Sequence, residues 1–169
     1  NDHFSADFNG NGYMIKNLTI NRPSEYYVGL FGVVRDAKIE NLAIAGLHSH
    51  VVGRGNVGAL VGYAVSSRLR NVSIAANVQG SNYVAGLAGK IGASTYVENV
   101  FVSGSVGGDR YVGGLIGRSY GSSNSSKNVI SQTLSTSSVS GDSSTGGLLG
   151  YTYRTDVVNS YWAKEASGQ

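Results

Sequence analysis

The sequence predicts an all-β chain wound as a right-handed parallel β-helix of about six coils, each about 28 residues long. Three observations carry that prediction. A Gly-Leu-x-Gly phrase recurs around Leu30, Leu60, Leu87, Leu115 and Leu148, at spacings of 30, 27, 28 and 33 residues. Asparagines recur out of phase with it, at Asn17, Asn41, Asn71, Asn99, Asn128 and Asn159, and each leucine is followed by its asparagine after 11, 11, 12, 13 and 11 residues. The composition completes the pattern: 25 Gly, 1 Pro, 11 Tyr and only 14% charged residues in 169 supply strand and turn formers and too few helix formers.

The elements follow in order. "DFNGNGYMIKNLTI" reads as a tight turn feeding a first strand; its Gly-Asn-Gly lacks the full phosphate-loop spacing and no helix follows it. "YYVGLFGVV" then leads to "IENLAI", where Leu42, Ala43 and Ile44 alternate apolar and small as a strand does. "NVGALVGYA" leads to "LRNVSI", "NYVAGLAGK" to "VENVFV", and "RYVGGLIGR" to "SKNVIS". This fourth coil, "RSYGSSNSSKNVISQTLSTSSVSGDSSTGG", is stretched in both halves and dense in Ser and Thr. "STGGLLGYT" and "DVVNSY" close the series. No apolar spacing of 3.6 residues persists over a helical length, which excludes helical repeats. A propeller blade needs about 40 to 45 residues, so the period is also too short for one.

In a stacked coil each position repeats the environment of the one below, at a rise of about 4.8 Å. The leucines are therefore interior, the flanking glycines mark close approach of backbone, and the asparagines take corners. Asparagine tolerates the left-handed region, and stacked amides can hydrogen-bond from coil to coil, so both columns are assigned as a structural ladder.

The phrases "YVGGLIG", "NVGALVG" and "STGGLLG", with the opening "FSADFNGNGYMIKNLTI" and the ending "VVNSYWAKEASGQ", resemble GLUG-motif repeat regions. Such arrays occur in large secreted or surface-anchored bacterial proteins, among them haemagglutinin-like adhesins and immunoglobulin A peptidases, where they lie outside the catalytic part. The resemblance implies a β-helical module at the cell surface or outside the cell, and it brings no catalytic residues with it. Ala59 and Ala85 stand where the motif has glycine.

The remaining chemistry is sparse. The net charge of +3 is scattered, so no nucleic-acid partner is expected, and no apolar run is long enough to insert in a membrane. With 0 Cys and 3 His, of which His48 and His50 form "HSH", neither a metal site nor a cofactor is expected. Six positions before each leucine stand Ser24, Arg54, Ser81, Asp109 and Asp142. Asp109 and Asp142 thus fall one coil apart, as turn residues or as a pair able to share a cation or serve a carbohydrate lyase or hydrolase. Tyr27, Tyr83 and Tyr111 open the Gly-Leu phrase, with Tyr63, Tyr120, Tyr151 and Tyr153 beyond it and Lys90 and Arg118 in the column of Tyr63 and Tyr151. Tyr83, Tyr111, Tyr120, Arg118, Asp109 and Asp142 are the candidate ligand contacts, and host glycan or surface protein the candidate partner. Residues 1–169 read as one non-catalytic module cut from a longer chain, a stiff spacer with neighbouring domains of the same polypeptide. A carbohydrate-active enzyme and a peptidase accessory domain are the alternatives.

Overall fold

Alternating strands that pair in parallel with their own copies must form columns, and they do in the computed structural model, which describes residues 2–169. A five-stranded sheet is made of Phe31–Arg35, Val61–Val65, Ala88–Ile91, Ile116–Tyr120 and Leu149–Tyr153. A second face stacks Lys38–Ala45, the first parts of Arg68–Gln79 and Tyr96–Gly107, then Asn128–Ser135 and Thr155–Val158. A third stacks Thr19–Val28, His50–Gly58, Asn82–Ala85, Arg110–Gly113 and Ser143–Gly146. The result is a β-solenoid of about five turns with a repeat of about 29 residues.

The corners explain how flat strands close into a coil. Asn41, Asn71, Asn99, Gln132 and Asn159 form one column of left-handed residues, Tyr27, Asn56, Tyr83, Tyr111 and Ser144 a second, and Asp36, Ser66, Ser94 and Arg154 a third, all with φ between 47° and 59°. A left-handed residue swings the strand direction without breaking coil-to-coil pairing, and asparagine accepts that conformation most readily among residues with a side chain.

The leucine column holds. Leu30 N–H donates to the Ala59 carbonyl, and Leu60, Leu87 and Leu115 donate to the carbonyls of Leu87, Leu115 and Leu148. Leu60, Leu87 and Leu115 are fully buried, Leu148 nearly so, and Leu30 at the first turn is half-buried. Beside them run Val28–Val57–Val84–Val112 and Ile15–Ile44–Ile74–Val102, so the interior is a bundle of aliphatic columns.

The asparagine ladder needs correction at two positions. Amide nitrogens of Asn41, Asn71 and Asn99 donate to the amide oxygens of Asn9 (3.1 Å), Asn41 (2.8 Å) and Asn71 (2.9 Å). Gln132 and Asn159 continue the column by register. Asn17 does not belong to it: Lys16 pairs with Ala45, which sets Asn17 beside Gly46, and its amide oxygen accepts from His48 N–H instead (3.4 Å). Asn128 also lies elsewhere, fully buried at the preceding corner, where it accepts from Thr95 N–H (3.0 Å) and donates to the Ser119 hydroxyl (2.9 Å). The rungs therefore run from Asn9 to Asn159, and six rungs enclose five turns.

The same correction relocates the stretched coil. With Gln132 as the rung, strands on all three faces keep one offset from the coil below, as in Tyr96–Val129, Val112–Thr145 and Ile116–Leu149. The extra residues sit in the single corner around Gly121–Lys127 and do not lengthen both halves. At the first turn Phe4 and Phe8 cover Phe31, with ring centroids 4.8 and 5.4 Å away. Trp162 lies against Gly147 at the other end, followed by the short helix Lys164–Ser167.

Candidate functional site

Residues 33, 63, 90, 118 and 151 occupy one outward column of the five-stranded sheet, as Val33, Tyr63, Lys90, Arg118 and Tyr151. The adjoining left-handed corner carries Tyr27, Tyr83 and Tyr111, and the far side of the sheet carries Tyr120 and Tyr153 in register. Tyr27, Tyr120, Tyr151 and Tyr153 are 38–48% exposed and Tyr63, Tyr83 and Tyr111 half-buried, so the tyrosines lie on the outside of the coil. Sequence phase alone left their direction open.

Close backbone packing fixes the corner against the sheet. A Cβ built on Gly117 would lie 2.6 Å from the Gly89 carbonyl oxygen and 2.8 Å from that of Tyr111, so only glycine fits there. The second glycine of the Gly-Leu-x-Gly phrase thus holds the tyrosine corner against the column of Lys90 and Arg118.

The rings and cations gather in two contact groups that adjoin where Lys90 and Arg118 pair in register. Tyr83 and Tyr111 stack with centroids 5.0 Å apart and planes within 4°. Tyr111 meets Tyr151 edge-on at 5.7 Å, and Tyr120 stacks on Tyr153 at 5.1 Å. The Arg118 guanidinium stands among four rings, 5.1 Å from Tyr120, 5.5 Å from Tyr151, 5.6 Å from Tyr83 and 5.9 Å from Tyr111. These lie within the reach of cation–π attraction. Lys90 Nζ lies 4.8 Å from the Tyr63 centroid, and Tyr27 lies 6.3 Å beyond that ring. Arg110 and Arg154, which the sequence reading did not single out, stand 4.7 Å over Tyr111 and 4.8 Å over Tyr153. Arg110 precedes Tyr111 and Arg154 follows Tyr153, so that adjacency was the available signal.

Electrostatics follow from burial. Half-burial pushes the Tyr63 hydroxyl above its ordinary value, because the tyrosinate would lose water. Burial lowers Lys90 first, and the like charge of Arg118 lowers it further. None of the five strands of this sheet contains Asp or Glu. Among the described residues the ion pairs lie elsewhere: Lys38–Asp7, Arg70–Glu40 and Lys127–Asp156 at the second face, and Arg22–Glu25 on Thr19–Val28. Two hollows flank these features. One of about 440 Å³ at the first turn is lined by Asp2, His3, Tyr27, Arg35 and Tyr63; another of about 560 Å³ follows the asparagine ladder past Phe101 and Leu134.

No family model matches the chain. It is 31% identical over 91 residues to halomucin of Haloquadratum walsbyi, covering 53% of the chain and 1% of that protein. It is 40% identical over 77 residues to a protein of Evansella cellulosilytica named "Putative Gly-rich membrane protein", covering 43% of the chain and 9% of that protein. The chain therefore spans a small fraction of these curated relatives. Among solved structures, a chain described as a "putative immunoglobulin A1 protease" from Bacteroides ovatus superposes with a TM-score of 0.57 over 92% of this chain and 59% of that one. At 20% identity this likeness shows the fold alone.

The other candidates fall as follows. Asp109 and Asp142 are stacked in adjacent coils, Asp142 N–H donating to the Asp109 carbonyl (3.0 Å) above Ser81 and Arg54 in the same corner. Both are exposed, and neither lines the two hollows. His50 Nδ1 lies 3.2 Å from the His48 carbonyl, a local contact. Among the described residues no three His, Cys, Asp or Glu gather into a metal-binding group, and no helix is long and apolar enough to cross a membrane.

Proposed function

We propose that the chain is a non-catalytic β-solenoid module of a secreted or surface-exposed protein, a stiff spacer that displays a tyrosine–cation stripe to an external glycan or protein. Stiffness follows from the architecture, since each strand is hydrogen-bonded to its copies in adjacent coils. The stripe supports the binding half of the reading. Exposed and half-buried rings beside Lys90 and Arg118, on strands that carry no Asp or Glu, form a surface that still has interactions to offer, whereas on the second face Lys38, Arg70 and Lys127 are held in ion pairs. The names of the relatives, a mucin and a membrane protein, agree with a place outside the cytoplasm. Immobilised glycan and surface-protein arrays probed with the whole chain test this reading. Retained signal with the Tyr83→Ser/Tyr111→Ser variant, folded by circular dichroism, would remove the stripe as the binding surface.

The stacking of Asp109 over Asp142 keeps a carbohydrate-active reading in view. Glycosidic hydrolysis requires two carboxyl groups on opposite sides of a bound sugar, and these two occupy a single exposed turn column instead. Polysaccharide turnover by the wild type that vanishes in Asp109→Ala would reverse the preference.

A further inference from the structure

We propose that Lys90 and Arg118 bind the acidic groups of an anionic polysaccharide whose sugar rings lie along the flanking tyrosines. The proposal rests on the reading of the stripe as a ligand surface and names the class of ligand.

Lys90 and Arg118 are register partners in neighbouring coils, so their backbones stand about 4.8 Å apart in one column. Among the described residues neither forms an ion pair, and the strands on either side supply no carboxylate. Arg118 also buries its Nε without a hydrogen-bond partner, although rings surround the group. Lys90 holds its proton less tightly first because half-burial strips water from the ammonium and then because the like charge of Arg118 stands one rung away, so two under-solvated cations face each other. A carboxylate or sulfate set between them relieves the repulsion and uses the guanidinium donors in charge-assisted bonds.

The geometry favours sugars over nucleic acid. Tyr83 and Tyr111 are already stacked on each other with planes 4° apart, which leaves no slot between them for a base. Their edges and the outer face of the stripe remain for the C–H faces of pyranose rings. The cations also do not continue as a ladder of phosphate spacing, because Tyr63 and Tyr151 bracket the pair in its column.

Titration of the whole chain with dextran sulfate, polygalacturonate, neutral dextran and single-stranded DNA tests this at several salt concentrations. At least one acidic polysaccharide is expected to bind at least tenfold more tightly than neutral dextran or DNA, the first two probes separating sulfate from carboxylate recognition. Lys90→Gln and Arg118→Gln are each expected to lower that affinity tenfold or more and to flatten its salt dependence. Binding should also take up protons at alkaline pH, and Lys90→Gln should abolish that uptake. Arg118 is enclosed by rings, so Lys90→Gln is the decisive variant if Arg118→Gln unfolds. Unchanged affinity in folded Lys90→Gln, or DNA binding as tight as the polysaccharides, overturns the proposal. Neutral dextran binding equally well, and lost in Tyr83→Ser/Tyr111→Ser, overturns the acidic class alone. Absence of binding to every probe and to the glycan and protein arrays overturns the surface reading with it.

Discussion

Replacing Asn71 separates the two contributions a ladder residue makes. Its amide donates to Asn41 at 2.8 Å and accepts from Asn99 at 2.9 Å, and its backbone is left-handed at φ 53°. Losing two exposed amide bonds costs about 0.5–1 kcal/mol each, so about 1–2 kcal/mol in total. Alanine must also hold the left-handed conformation, at about 1–2 kcal/mol more. Asn71→Ala should therefore destabilise by about 3 kcal/mol. Asn71→Gly keeps the corner unstrained but adds about 0.5–1 kcal/mol of unfolded-chain entropy, for about 2 kcal/mol. Urea unfolding followed by far-ultraviolet circular dichroism, with unchanged slopes, gives both values. Equal costs for the two variants would refute corner strain as a separate contribution. Costs below about 0.5 kcal/mol for both would refute the ladder as a stabilising device.

The other predictions span core, corner and charge. Asn128→Ala, which leaves the buried Thr95 N–H unpaired, should cost about 3 kcal/mol by the same assay, against about 1 kcal/mol for exposed Asn159→Ala. Leu87→Ala in the fully buried column should cost about 3 kcal/mol and lower the melting temperature by about 6–12 °C, while half-buried Leu30→Ala costs about half as much. Gly117→Ala forces its methyl onto backbone atoms of Val84, Gly89 and Tyr111, and unfolding should show a loss of about 3 kcal/mol. Lys90 binds its proton less tightly in the folded state, so its charge opposes folding at neutral pH. That penalty should fade as pH rises through its lowered value toward the ordinary 10.5. Lys90→Met should be more stable than wild type at pH 7, and thermal melts across alkaline pH should lose this upward component; Tyr63, held protonated by burial, pulls the other way above about pH 10 in both proteins.

Much of the architecture was legible because a stacked coil copies one environment many times. The leucines could be aligned by counting, since each fills the same interior slot and no other residue type competes for it there. The register of Tyr63, Lys90, Arg118 and Tyr151, and the stacking of Asp109 on Asp142, came from that same count. Asparagines misled at Asn17 and Asn128 because this residue suits more than one kind of corner. Asn17 is itself left-handed, at φ 55°, and Asn128 bridges coils with its side chain, so identity alone did not fix the column. Aligning "NVISQT" with "TYVENV" on the strand alternation would have placed Gln132 on the ladder and the insertion in one corner.

Sequence by itself determined the coil, its approximate period and the membership of the leucine, Tyr63–Lys90–Arg118–Tyr151 and Asp109–Asp142 columns, because parallel self-pairing turns linear spacing into vertical neighbourhood. Only the tertiary structure decided which way the tyrosines face, that Arg118 stands among four of them, and that no carboxylate shares their sheet. Those are relations between columns on different sides of a corner. The angle at a left-handed residue and the clearance over a glycine set them, and neither is written in the spacing of letters.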